Sequence, residues 1–350
     1  MQTKQDIPTP ALLLDLDAFE RNLRKMSEAA KASGRNLRPH AKAHKCVEIA
    51  RRQVEAGAVG VCVATVSEAE LMAKAGVPGL LLTSPVADPL KIARIVKTGA
   101  MAVVDHLQQV AWYQEAALAN GVVDILVDLD VGDHRTGAAT LEQALKIAEA
   151  VERTSHLRLR GLQAYSVYGS HGSGRDERFR VSMETYARAR AVRDAMAHKG
   201  LCTDILTGGS TGTWDIDTEI PELTEIQAGS YVLMDMAYRR AGLDFEQAMT
   251  VLATVISANH ANCVSIDAGT KAFATDRGYG SEPAQSIGLK YRFGGDEFGY
   301  LEMEGASSLP TLGQKIEMVP PHCDPTANLY DTIYACRGNV VEAVWPLKRM

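Results

Sequence analysis

The 350-residue sequence has no basic excess, no long apolar run and no closely paired cysteines. Each absence removes a class of protein. Lysine and arginine number 37 against 43 aspartates and glutamates, a formal net charge of −6. Nucleic-acid binding by counterion release needs a basic surface, so nucleic acid is excluded as the main partner. No stretch approaches the roughly 18 continuous apolar residues of a membrane span. The opening MQTKQDIPTP carries no apolar segment of the secretory kind. The expectation is a cytoplasmic chain with no membrane partner. Six cysteines, Cys46, Cys62, Cys202, Cys263, Cys323 and Cys336, are scattered without a C-x-x-C pair, which predicts reduced thiols rather than a disulfide framework. Low-complexity tracts and long linkers are missing too.

What is present is a globular composition, 46% apolar and 23% charged. The length suits one barrel plus a second module. Short apolar runs at 37–42, 59–65, 79–85, 100–105, 123–130, 159–165, 204–209 and 225–231 alternate with amphipathic helical segments such as CVEIARRQVEA and DPLKIARIVKTG. Eight such alternations predict an α/β fold whose parallel strands close into a (β/α)8 barrel of the TIM type, over residues 20–244. In an open doubly wound sheet a glycine-rich loop would follow the first strand; here TGGSTG follows the seventh. From 245 to 350 the helical period disappears and turn-joined strands predict a second, all-β domain. The N-terminal strand within 1–19, TPALLLDLDAF, is expected to pack with that domain.

Barrel chemistry sits at the C-terminal ends of the strands. RPHAKAHK (38–45) places Lys42 at the end of the first strand. DVGDHRTG follows the fifth, Tyr165 ends the sixth, and Thr207, Gly208, Gly209, Ser210 and Thr211 follow the seventh. Gly229, Ser230 and Tyr231 close the eighth. Glycines after the last two strands let backbone N–H groups approach a phosphate. Alone, GGSTG is equally an ordinary tight turn, and a lysine on the same rim strengthens the phosphate reading. A strand-end lysine is usually a solvated charge, but one desolvated in a barrel mouth becomes a reactive amine. Pyridoxal phosphate, an aldehyde carrying a phosphate, would use both features together.

His171, in SVYGSHGSG after the sixth strand, is a candidate base, with a structural role as the other reading. PHCDPT (321–326) is expected to be extended. Alternation would then put His322 and Asp324 on one face with Cys323 pointing away. Such an N/O pair suits a divalent cation, Mn2+ or Mg2+ first and Zn2+ as a further option. The plainer alternative is a strand end entering an Asp-Pro turn.

These segments resemble the fold-type III pyridoxal-phosphate enzymes, in the branch of D-threonine aldolase and D-serine dehydratase, with alanine racemase more distant. The resemblance runs through TPALLLDLDAFERNL, RPHAKAHKC, VSEAE, GDHRTG, GLQAY, TGGSTGT, EIQAGSYVLMD, DAGTKA and HCDPTANLYD. It implies that Lys42 bonds the cofactor, with His40 and Lys45 shaping its surroundings. Arg135 would face the cofactor's phenolic oxygen and Tyr165 its ring. Gly209 with its neighbours and Gly229 to Tyr231 would form the phosphate cup. His322 and Asp324 would hold the metal, and His171 would act on the substrate hydroxyl. Dehydratases of this group typically present H-x-C and aldolases H-x-D, so His322-Cys323-Asp324 favours the aldolase side. The expected activity is metal-dependent cleavage of D-β-hydroxy-α-amino acids such as D-threonine to glycine and an aldehyde. The first alternative is a D-serine or 3-hydroxyaspartate dehydratase releasing a 2-oxo acid and ammonia; the second is an amino-acid racemase. Relatives are commonly homodimers.

Overall fold

The computed structural model describes residues 2–172, 174–285, 288–306 and 308–349. The chain divides into two compact units. One holds residues 25–42 and 47–229, the other residues 1–24, 43–46 and 230–350. The chain thus leaves the first unit between Gly229 and Ser230, before the expected boundary at 245.

The opening strand β1 (Ala11–Asp15) leads into α1 (Leu16–Ser33). Eight parallel strands follow. They are β2 (Asn36–Leu37), β3 (Cys62–Val63), β4 (Leu81–Leu82), β5 (Met101–Val104), β6 (Val123–Leu129), β7 (Leu157–Ala164), β8 (Ile205–Gly208) and β9 (Glu225–Ile226). Their spatial order is β2-β9-β8-β7-β6-β5-β4-β3. A parallel bridge between His40 and Cys62 joins the two ends of this row. The result is the expected TIM-like barrel.

Between these strands lie α2 (Val47–Glu55), α3 (Val66–Lys74), α4 (Pro89–Thr98), α5 (Leu107–Ala117), α6 (Leu141–Glu152), α7 (Val167–His171), α8 (Arg175–His198) and α9 (Trp214–Asp217). Local chemistry sets their ends. Asp88 caps α4 by accepting from Leu90 N, Pro89 occupies the first turn, and Gly99 closes the helix at φ 71°. Thr65 and Thr140 cap α3 and α6 in the same manner. Cys62, Leu81, Val103, Leu126 and Ile205, from five strands, form one buried cluster. A buried ion pair ties β2 to β9: Arg38 donates to Glu225 through Nε at 2.8 Å and Nη2 at 2.7 Å. One basic residue of RPHAKAHK is therefore structural.

The second unit is built on a nine-stranded sheet. Its strands are β1, β10 (Met249–Ser257), β11 (Cys263–Ile266), β12 (Glu282–Pro283), β13 (Leu289–Phe293), β14 (Gly299–Met303), β15 (Lys315–Val319), β16 (Thr332–Arg337) and β17 (Val340–Pro346). The main order is β13-β14-β11-β10-β1-β16-β17, with β15 pairing both β10 and β12. β1 runs antiparallel to β10 and parallel to β16. Two short helices, α10 (Met236–Arg240) and α11 (Cys323–Ala327), complete it.

Candidate active site

Lys42 lies just past β2, in a one-turn 3-10 segment, Ala41–Ala43, rather than within a strand as expected. The ladder runs one residue past Pro39, to the His40–Cys62 bridge, and then gives way to the turn. His40 orients the turn: its Nδ1 accepts from Lys42 N at 3.4 Å, and its Nε2 lies 2.9 Å from Thr83 Oγ1. Lys42 Nζ stands 5.5 Å from the centre of the Tyr165 ring. The Arg135 guanidinium stands 5.0 Å from the same ring. His40, Lys42, Arg135, Thr136, Gln163 and Tyr165 are among the residues lining a cavity of about 330 Å³, a size within the range of small-ligand sites.

A buried polar chain underlies this cavity, and sequence reasoning missed it. Gln163 Nε2 donates to Thr83 O at 2.9 Å and Asp128 Oδ1 at 2.8 Å. Gln227 Nε2 in turn donates to Gln163 Oε1 and Thr207 Oγ1, both at 3.1 Å. Thr136 donates to Asp128 Oδ2 at 2.9 Å. Burial raises the Asp128 carboxyl to about 6, with Asp105 adding to the shift and the bonds from Gln163 and Thr136 opposing it. The available signal was one glutamine inside each of two apolar runs, GLQAY and EIQAG.

The proposed phosphate loop is next to Tyr165 by register, since Ala164 pairs with Gly208 across β7 and β8. It does not line the Lys42 cavity. Gly209 has φ 73°, and a Cβ there would lie 2.3 Å from Asp217 Oδ2, so only glycine fits. Asp217 holds the loop from beneath, accepting from Ser210 N at 3.2 Å and Thr213 Oγ1 at 2.6 Å. Burial raises its carboxyl to about 7. Arg178, itself buried, donates to Gly212 O at 2.5 Å and Asp215 Oδ1 at 3.0 Å. Gly229 abuts His40, whose carbonyl oxygen would lie 2.4 Å from an added Cβ. His171 ends the short helix α7 and is half-buried; it too is not part of the cavity lining.

The expected cup residues Ser230 and Tyr231 belong to the other unit. There Tyr231 is fully buried, and Ser230 Oγ donates to Asp324 Oδ1 at 3.0 Å. The extended reading of 321–326 is corrected. His322 is extended, but it caps α11, so Cys323 and Asp324 are helical. Pro325 is compatible with a helix because it falls in the first turn. Strand alternation therefore does not separate Cys323 from Asp324; Cys323 is buried, with Sγ 3.2 Å from Asp324 Oδ1.

His322 Nδ1 lies 2.7 Å from Asp276 Oδ2, and Arg277 Nη2 lies 3.3 Å from His322 Nε2. A carboxylate only accepts and a guanidinium only donates, so the ring carries its proton on Nδ1 and its lone pair on Nε2. A carboxylate on the second ring nitrogen is a partner often seen for metal-binding histidines, but here Arg277 occupies the Nε2 lone pair. Among the described residues no cluster of three or more His, Cys, Asp or Glu converges as a metal site.

The fold and the lysine cavity define a barrel protein with an amine placed near a tyrosine ring and a guanidinium, and a glycine-built loop on the strand next to that tyrosine. Lys42, Tyr165, Arg135 and the cradle around Gly209 fit pyridoxal phosphate by amine, ring contact, anion partner and close backbone approach. The alanine racemase N-terminal domain family matches residues 14–237, and a serine dehydratase domain matches residues 248–336. A 3-hydroxy-D-aspartate aldolase of Paracoccus denitrificans is 35% identical, covering 98% of this chain and 92% of its own. A D-threonine aldolase of Arthrobacter sp. is 36% identical, covering 97% and 92%. The crystal structure of a D-threonine aldolase from Filomicrobium marinum superposes with a TM-score of 0.93 at 37% identity, covering 99% of this chain and 98% of that one. The chain belongs to the alanine racemase N-terminal domain family, and within it to the pyridoxal-phosphate-dependent carbon–carbon lyases.

Proposed function

We propose that this lyase cleaves the Cα–Cβ bond of D-β-hydroxy-α-amino acids, D-threonine among them, to glycine and an aldehyde. The observation that carries the reading is Lys42, presented at the C-terminal end of the barrel to a cavity shared with Arg135 and Tyr165. Full-length similarity to two aldolases of such substrates supports it.

Lys42 would hold the cofactor, with Arg135 and Tyr165 lining the same cavity as its anion partner and ring contact. The loop from Thr207 to Thr211, with Gly229, would receive its phosphate. When bound, pyridoxal phosphate supplies an electron sink for the pair released from the broken bond. His322 and Asp324 would hold a divalent cation, Mn2+ or Mg2+, which would supply Lewis-acid chemistry that lowers the pKa of a hydroxyl. Asp276 fixes the His322 tautomer. His171, at the end of α7, takes the β-hydroxyl proton, and the Lys42 ammonium returns a proton to Cα. All six cysteines are free, which supports a reducing, cytoplasmic setting; among the described residues no helix is long and apolar enough to cross a membrane. The family resemblance supports a homodimer, which sedimentation would test.

The reaction is tested by NMR of the products from D-threonine with cofactor and Mn2+ present. Glycine and acetaldehyde are expected, and 2-oxobutyrate with ammonia would establish dehydration instead.

A further inference from the structure

Two loops at the barrel rim meet on α7, the short helix that carries His171. The first is the 130–137 loop, which holds Arg135. It is closed on itself: Asp130 Oδ1 accepts from Gly132 N at 2.8 Å and His134 N at 3.0 Å, and Asp130 N donates to Ala138 O at 3.1 Å. Arg135 reaches from this loop to the Tyr165 ring, 5.0 Å away. Asp133, on the same loop, grips the residues that follow Tyr165. Its Oδ1 accepts from Ser166 Oγ at 2.9 Å and its Oδ2 from Val167 N at 2.5 Å. Ser166 Oγ in turn accepts from Gly169 N at 3.3 Å, so the N-cap of α7 is itself held by Asp133.

The second loop, 207–213, supports the other half of α7. Gly212 lies against the helix backbone, where an added Cβ would stand 1.9 Å from Ser170 O. Arg178, buried on α8, fastens the same glycine by donating to its carbonyl oxygen at 2.5 Å. α7 has only five residues. An isolated helix of that length is unstable in water, so its position is set by what grips it. His171 stands at the end of α7 and Val167 at its start, about 6 Å apart along the helix axis. A shift of the first turn therefore reaches His171 directly. Asp133 links the loop of Arg135 to the helix of His171.

We propose that Asp133 is the positioning residue of α7, fixing His171 relative to Arg135 and Tyr165. This rests on the reading of His171 as the base. Asp133 acts through the helix, by the two hydrogen bonds it accepts. Geometry rather than charge is what it supplies: an amide in its place keeps an oxygen for Val167 N and offers an N–H to Ser166 Oγ. A methyl group offers neither. Misplacing a reacting group by about 1 Å costs on the order of 10²-fold in rate.

The test compares Asp133→Ala, Asp133→Asn, His171→Ala and the Asp133→Ala, His171→Ala double variant as holoenzymes, with D-threonine and Mn2+. Asp133→Ala should lower kcat by about 10- to 100-fold with the cofactor's visible absorbance retained. Asp133→Asn should recover most of that loss. The double variant should be no slower than His171→Ala, because two changes that disable one group do not add. Losses that multiply in the double variant overturn the inference. Equal losses in Asp133→Asn and Asp133→Ala overturn it too, as does disappearance of the cofactor's absorbance in Asp133→Ala. Hydrogen exchange read by mass spectrometry is independent of turnover. The segment 166–172 should exchange faster in Asp133→Ala than in the wild type, where Val167 N–H has its acceptor, and equal exchange overturns the inference. If D-threonine is not turned over, or His171→Ala turns it over at the full rate, the reading of the reaction or of the base fails. Exchange alone then decides whether Asp133 holds α7.

Discussion

Asp128 accepts a hydrogen bond from Gln163 Nε2 at 2.8 Å in a wholly buried setting, which places a carboxyl at the heart of the barrel's polar chain. Burial raises this carboxyl to about 6 from an ordinary 3.8. Because the folded value is the higher one, the fold favours the protonated form. The stabilisation is fully present below about pH 3.8 and is lost as pH rises through about 6. The shift is worth about 3 kcal/mol. Asp128→Asn keeps an acceptor for Gln163 and removes the titration. The variant should therefore gain on the wild type in Tm between pH 4.5 and 7.5. A gap between the two proteins that does not change with pH would remove Asp128 from the account.

The Arg38–Glu225 pair is almost fully buried, with side chains 7% and 4% exposed. Removing one partner of such a pair costs about 3–5 kcal/mol, because the other charge stays buried. Glu225→Gln should lower chemical stability by that order. Arg52→Gln, which breaks a half-exposed pair with Glu48, should cost less than about 1 kcal/mol. Similar losses in both, read from denaturant unfolding, would contradict the ranking.

Asp276 is expected to tune the cation site through His322. Asp276→Asn should weaken Mn2+ binding by about 10- to 100-fold in calorimetry, with the cofactor's absorbance unchanged. Equal Mn2+ affinity in the two proteins would show that the 2.7 Å contact has no bearing on a metal.

His171→Ala should reduce turnover by about 10²–10⁴, the usual loss of general-base assistance, while cofactor binding persists. A fall of less than about tenfold would place the base elsewhere.

Much of this architecture could be read from the sequence, and the reason is periodicity. Apolar runs such as VDILVDL and LRGLQAY alternate with helical segments whose ends carry their own caps, as at Thr65 and Asp88. Lys42, Arg135 and Tyr165 line one cavity because a barrel gathers its strand ends, whatever their separation along the chain. Local geometry was less legible. The segment read as strand through Lys42 ends in a 3-10 turn at Ala41–Ala43, and α11 replaced an extended PHCDPT. Asp276 was out of reach because it meets His322 from 46 positions away, through a tertiary contact with no local signature. The glutamine pair Gln163 and Gln227 is 64 positions apart and was hidden in the same way.

The central claim is that Lys42 is the amine that holds the cofactor, and chemical trapping tests it most directly. Borohydride reduction of the holoenzyme, proteolysis and mass spectrometry locate the modified lysine. The account predicts a single pyridoxyl adduct at Lys42, within PHAKAHK. An adduct on Lys45 or Lys271, with Lys42 unmodified, would contradict it.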